Sequence, residues 1–224
     1  MAQHAFDMMD TLAIERHLKT LAQLQTEFGL QRAEAEDFFE EWLTGLPSLT
    51  AAEQTALDQI RERYHYQFSE GRLGEETIKL IVLSPLLQLA GFYNPPFQFR
   101  AEETIYLDVP TEKRRYRGRI DALVLQEQFW VIAIESKETN FSVDLAVPQV
   151  LAYLLANPHP KYCTYGMVTN GGSFVFTKLQ SGTVPQYEMS DVFSLLPRQN
   201  RLYDVLQILK RIGQVVLDVP ESGD

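Results

Sequence analysis

Asp121 and the tripeptide Glu135-Ser136-Lys137 are the residues whose types and spacing fit chemistry. The spans 117–125 and 129–137 read as β-strands, the second through its aromatic and β-branched run Phe-Trp-Val-Ile-Ala-Ile. Side chains on a strand alternate faces, so Glu135 and Lys137 project from the same side. A hairpin turning at 126–128 sets Asp121 directly across from Glu135, with Cβ atoms roughly 4.5–5.5 Å apart, where like charges repel. Two carboxylates so placed on apolar strands suit a hard cation, Mg²⁺ or Mn²⁺, which takes oxygen ligands. The competing reading is a surface hairpin carrying a solvated Asp, Glu and Lys ion-pair cluster. On the facing geometry alone, Asp121→Asn relieves repulsion and stabilises the metal-free protein.

Other polar residues converge on this pair. Gln149 and Tyr153 are four apart and share one face of the helix after Lys137; a helix-end glutamine and a packed tyrosine are the plainer alternatives. Glu75 opens an apolar helix in register with Ile78, Val82, Leu86 and Leu89. Glu76 is its rival, and favourable interaction with the helix dipole suits either acid. Lys113-Arg114-Arg115-Tyr116-Arg117-Gly118-Arg119 is a dense basic run leading straight into the strand of Asp121. Lysine and arginine on a nucleic-acid backbone give sequence-independent affinity; a solvated loop balancing nearby acids is the alternative.

The elements that must position these groups follow from periodicity. Residues 1–70 read as helical: Ile14, Leu18, Leu21 and Phe28 share a face, and 36–43 is a short second helix with Phe38, Phe39 and Trp42. Thr50 and Glu53 have capping-box spacing ahead of the stripe Leu57, Ile60, Tyr64 and Phe68. Gly71 and Gly74 mark a boundary. Beyond it come a helix over 75–89, a strand over 97–108, the two strands above and a helix over 144–156. Pro148 requires the first turn of that last helix. Strands over 162–169 and 173–179 are joined by Asn170-Gly171-Gly172, a hairpin signal. Helices over 190–196 and 201–216 follow. The expected fold is a mixed α/β core over 71–224 with an all-helical extension over 1–70.

Asp121, then Glu135-Ser136-Lys137, then Gln149-x-x-x-Tyr153 resembles the PD-(D/E)xK nuclease superfamily. In particular it is similar to the N-terminal nuclease domain of the restriction subunit of type I restriction–modification enzymes, where Gln-x-x-x-Tyr follows the catalytic lysine. The segments Glu75-Glu-Thr-Ile-Lys79, Ser84-Pro-Leu-Leu87, Ala90-Gly91-Phe92 and Val168-Thr-Asn-Gly171 fit the same group. The resemblance covers 71–180 and leaves the first 70 residues unexplained; Ile120 stands where the motif has proline. It implies a restriction-endonuclease-like mixed sheet flanked by helices, and a Mg²⁺-dependent (or Mn²⁺-dependent) endonuclease hydrolysing phosphodiester bonds, in DNA. Asp121 and Glu135, with the Ser136 carbonyl, would hold the metal, which lowers the pKa of bound water and neutralises charge on the phosphate. Lys137 would hold or activate that water, Gln149 would orient Lys137 or the phosphate, Tyr153 would support the backbone contact, and Glu75 would be an accessory acid. Fold resemblance does not establish activity, so the alternative is a non-catalytic nucleic-acid-binding or assembly module that keeps the fold.

Composition bounds these readings. The 224 residues are 45% hydrophobic and 22% charged, which is globular. Thirty acids against 20 bases give a net charge of −10, which excludes a generally basic nucleic-acid binder. A partner, either a helicase/translocase or another restriction-system subunit, would supply basic surface; a homo-oligomer is a separate expectation. No G-x-x-x-x-G-K-[ST] occurs, so the ATP-driven translocase of a complete restriction subunit is missing. One cysteine excludes an internal disulfide, and the four histidines lack zinc spacing. Short apolar runs and an acidic N-terminus argue for a cytoplasmic protein without membrane span or signal peptide. A third reading, an interaction protein built on the first helices, makes Phe38, Phe39 and Trp42 an exposed patch.

Overall fold

Val131, Ile132, Ala133 and Ile134 are fully buried, so their strand lies in a sheet covered on both faces. The computed structural model describes residues 10–109, 114–159 and 163–218. Lys113 and Tyr162 lie outside the described residues.

The described strands are β1 (Asp10–Ala13), β2 (Gln31–Arg32), β3 (Phe97–Asp108), β4 (Arg114–Gln126), β5 (Phe129–Ser136), β6 (Thr164–Thr169), β7 (Ser173–Gln180), β8 (Gln186–Met189) and β9 (Phe193–Ser194). They form one sheet in the order β1-β4-β5-β6-β7-β8-β2, with β3 also on β4 and β9 on β7. The sheet is mixed: β5 and β6 are parallel and joined through a helix, while β3–β4, β4–β5 and β6–β7 are antiparallel.

The helices are α1 (Ile14–His17), α2 (Leu21–Phe28), α3 (Ala51–Ser69), α4 (Glu75–Ile78), α5 (Ser84–Leu89), α6 (Val147–Leu155) and α7 (Leu202–Leu217). On one face, Leu57, Ile78, Leu86 and Leu209 of α3, α4, α5 and α7 pack with Ile134, Met167 and Phe176 of the sheet. On the other, Ile14, Leu24, Val150 and Leu154 of α1, α2 and α6 pack with Ile120, Ala133 and Val175. Two apolar faces thus make a three-layer α/β/α molecule.

Strand β4 positions the site. β3 runs along one of its edges from Asp108 to Phe97. The other edge is shared: β1 occupies it in parallel as far as Ala13 beside Arg117, and β5 antiparallel from Ile134 beside Ala122. Between those two ladders the segment 118–121 keeps a bare edge.

Local signals explain most of the rest. Thr50 and Glu53 close a capping box at the start of α3. Pro148 sits in the first turn of α6, behind a 3₁₀ turn over Val143–Ala146. Asn170 Oδ1 accepts from the amides of Gly172 and Ser173 at 3.1 and 2.8 Å, closing the β6–β7 hairpin. Several expectations are corrected. β1 and β2 fall within the span 1–70 expected to be all helical, because pairing with β4 and β8 outweighs local pattern. The helical face over 14–28 is divided between α1 and α2, and Thr20 caps the second. The span 36–43 forms turns, being too short to hold a helix by itself. Phe39 there is buried and Phe38 and Trp42 pack beside it, so these aromatics are core and not an exposed patch. The expected helix over 190–196 is irregular apart from β9. Among the described residues no helix is long and apolar enough to cross a membrane.

Candidate active site

The bare edge of β4 opens into a cleft of about 710 Å³. Glu75, Asp121, Glu135, Lys137, Gln149 and Tyr153 all line it, with Arg117 and Arg119 at its basic side. The sequence reading therefore named six site residues that the fold gathers into one place.

The pairs Ala122–Ile134 and Leu123–Ala133 have the register expected from the hairpin, whose extension would set Asp121 beside Glu135. The ladder itself ends at Ala122. Asp121 takes over with its side chain: Oδ2 accepts from the Ser136 amide at 2.7 Å. Ile120 and Leu123 belong to the same core, so the two-residue alternation slips between them. Opposite, Glu102 of β3 has a φ of 55° and makes no ladder pair. The strand is irregular at the carboxylate that matters most.

Glu135 is 3% exposed. Its Oε1 accepts from Lys137 Nζ and, at 2.7 Å, from Gln149 Nε2. Its Oε2 is buried with no hydrogen-bond partner. Burial foremost, then the charge of Asp121, pushes the Glu135 carboxyl up to about 7 against the lowering pull of Lys137. Gln149 Nε2 also reaches the Tyr153 hydroxyl at 2.5 Å, and that hydroxyl donates to the Arg119 carbonyl at 3.1 Å. Burial, with the nearby Glu135 charge, holds the Tyr153 hydroxyl above the usual phenol range. Gln149 and Tyr153 thus form a relay from Glu135 to the backbone of β4.

Lys79 completes the centre. Its ammonium meets Glu75 Oε1 at 2.8 Å, Asp121 Oδ1 at 2.9 Å and Glu76 Oε1 at 3.1 Å. Burial works against its charge, but hydrogen bonds to Glu75 and Asp121 prevail and hold its pKa above the usual lysine range. Glu75 and Glu76 differ in setting: Glu75 lines the cleft, whereas the Glu76 side chain is 79% exposed. The sequence reading missed Lys79. Its signal is a cation four residues after Glu75 opening an otherwise apolar run, and it begins a π turn over Lys79–Leu83. Gly118 was also overlooked as a positioning residue. A Cβ there would stand 2.6 Å from Tyr153 Cε1 and 2.9 Å from Ile14 Cδ1, so the absent side chain lets Tyr153 reach β4.

The basic run divides. Arg115 forms a two-pronged pair with Asp108, at 2.5 and 3.0 Å, and lies over Tyr106. Arg114 meets the Tyr116 hydroxyl and Glu27. Arg119 is paired with exposed Glu102 at 3.5 Å. Arg117 is exposed, lines the cleft and makes no ion pair among the described residues.

Oxygen donors dominate the centre. Asp121, Glu135 and the Ser136 carbonyl are hard ligands of the kind Mg²⁺ or Mn²⁺ prefers, and the orphaned Glu135 Oε2 fits such a cation. Among the described residues no group of three or more His, Cys, Asp or Glu side chains is gathered to hold a metal ion. A site of two carboxylates leaves the remaining positions to water, as suits Mg²⁺. No protein-family model matches this sequence, and no curated protein matches it.

Proposed function

We propose that the cleft hydrolyses phosphodiester bonds of nucleic acid, with DNA as substrate, in a metal-dependent endonuclease of the PD-(D/E)xK kind. The observation that carries this reading is Glu135. A buried carboxylate with one orphaned oxygen, beside Asp121 and beneath a lysine, is costly unless a cation or proton joins it. The motif order over 71–180 supports the same reading.

Asp121 and Glu135, with the Ser136 carbonyl, are the residues that would hold Mg²⁺ or Mn²⁺. When bound, that cation acidifies a water and neutralises charge building on the phosphate. Lys137, tethered at Glu135 Oε1, holds the attacking water. The water oxygen bonds phosphorus as the ester P–O bond breaks; the proton the water gives up passes to bulk solvent, and the leaving oxygen takes up a proton from solvent. Gln149 fixes the Glu135 carboxylate, Tyr153 braces the Arg119 carbonyl, and Glu75 serves as accessory acid. Arg117 and Arg119 meet flanking phosphates, joined by Arg114, Arg115 and Lys113. At a net charge of −10, a cytoplasmic translocase or other restriction-system subunit completes the basic surface.

One observation favours a second reading. Lys79 and Lys137 already satisfy Asp121 Oδ1 and Glu135 Oε1, as in a non-catalytic nucleic-acid-binding or assembly module. Plasmid nicking by purified protein with Mg²⁺ or Mn²⁺ decides, with Lys137→Ala as control. The nuclease reading expects metal-dependent nicking that the variant loses. DNA binding without nicking supports the second, and nicking retained in Lys137→Ala removes Lys137 from the mechanism.

A further inference from the structure

An ammonium has three N–H donors, and Lys79 points one each at Glu75, Glu76 and Asp121, all within 3.1 Å. Its side chain is 18% exposed and that of Asp121 8%, while that of Glu76 is 79% exposed. Two of its partners, Glu75 and Asp121, line the cleft; the third faces water. A divalent cation arriving at Asp121 meets a positive charge already hydrogen-bonded to the same carboxylate, and the two repel. Each carboxylate thus holds a lysine, Lys79 on Asp121 and Lys137 on Glu135, but both oxygens of Asp121 are satisfied while the buried Oε2 of Glu135 has no partner.

We infer that Lys79 is a resident cation of the metal-free cleft, which a divalent metal displaces from Asp121 onto Glu76. This rests on the reading of the cleft as a metal site. Glu76 lies three residues before Lys79 and is its neighbour on the same helical surface, so the displaced ammonium keeps an anchor. The exchange keeps buried Asp121 paired before metal arrives and lowers metal affinity through competition. Lys79 touches the metal-binding carboxylate and acts through it, as a positioning residue.

Mn²⁺ binding to the whole chain, by calorimetry, tests this with wild type, Lys79→Gln and Lys79→Arg, alongside thermal unfolding in EDTA. Hydrogen bonds to charged groups exceed neutral ones by enough that Lys79→Gln binds Mn²⁺ about tenfold more tightly. Lys79→Arg keeps the charge and stays near wild type. In EDTA, Lys79→Gln melts below wild type, and Mn²⁺ more than restores it. Glu76→Gln, a surface change, binds about twofold more weakly, and only when Lys79 is present. Equal or weaker Mn²⁺ affinity in Lys79→Gln overturns the inference while leaving the metal site standing. An unchanged affinity in Glu76→Gln removes the second anchor. Absence of Mn²⁺ binding to wild type and variants alike overturns both the inference and the metal reading beneath it.

Discussion

Glu135→Gln isolates the cost of the buried carboxylate. In the fold its carboxyl is pushed up to about 7, foremost by burial, against an ordinary 4.5. Between those values the folded protein holds a proton that the unfolded chain has released. The stability this contributes is complete below pH 4.5, declines as pH rises and is gone above 7. At 1.36 kcal/mol per pH unit, the loss is on the order of 3 kcal/mol. Glutamine imitates the protonated acid and does not titrate. The variant therefore matches wild type near pH 4.5 and exceeds it at pH 8, by roughly 6–12 °C in Tm for a chain of this size. The Oε2 position, unpaired in wild type, is taken in the variant by the amide nitrogen, a donor like the protonated acid's hydroxyl, so most of that cost is common to the two. Thermal unfolding in EDTA from pH 4.5 to 8 measures the difference, and other titrating groups are common to both. Adding Mg²⁺ at a hundredfold excess over Kd stabilises wild type by about 2.7 kcal/mol and closes most of the gap, since the variant lacks the anionic oxygen. Parallel pH profiles for the two proteins would refute the assignment of this strain to Glu135.

Other expectations follow from individual contacts. Asp121→Asn forfeits charge-assisted bonds to Lys79 and the Ser136 amide and destabilises the metal-free protein by about 1–3 kcal/mol, opposite in sign to the relief expected from the facing pair alone; a raised Tm in EDTA would restore the simpler repulsion picture. Gly118→Ala drives a methyl into Tyr153 and Ile14, costing about 1–3 kcal/mol and, on the nuclease reading, nicking as well; a wild-type melting curve counts against this packing. Neutralising Arg117 and Arg119 together lowers the salt dependence of DNA binding by roughly 1.8 in log–log slope. Arg115→Gln changes it less, because Arg115 is held by Asp108; equal losses in the two experiments would assign both to nonspecific charge.

Features set by neighbours in sequence were legible. The Thr50–Glu53 cap, the Asn170 hairpin and the pairing of 122–124 with 132–134 each depend on a few adjacent residues. The site was legible for the same reason: Asp121 and Glu135 sit on one hairpin, and Gln149 and Tyr153 on one helix turn. What spacing cannot carry is contact between distant segments. Asp10–Ala13 is a strand only because β4 lies beside it, and Lys79 meets Asp121 only once α4 packs over the sheet. The shift at Val124 and Leu125 is also invisible in the pattern, since one extra residue leaves a fully apolar run looking unchanged. The 36–43 segment misled because its aromatics match a helical stripe, yet turns bury Phe39 equally well.

The shared edge of β4 has a consequence in time. Synthesis runs from the N-terminus at roughly 5–20 residues per second. Asp10–Ala13 is made before Arg114–Arg117, with which alone it pairs among the described residues, so this wall of the cleft waits for its scaffold. Glu135, then Gln149 and Tyr153, emerge later still. Through that interval Glu75, Glu76 and Lys79 have one another but no Asp121, and no enclosed centre exists around them. The cleft is born with the helix that carries Tyr153, and a chain interrupted before that point has neither a braced Glu135 nor a second wall.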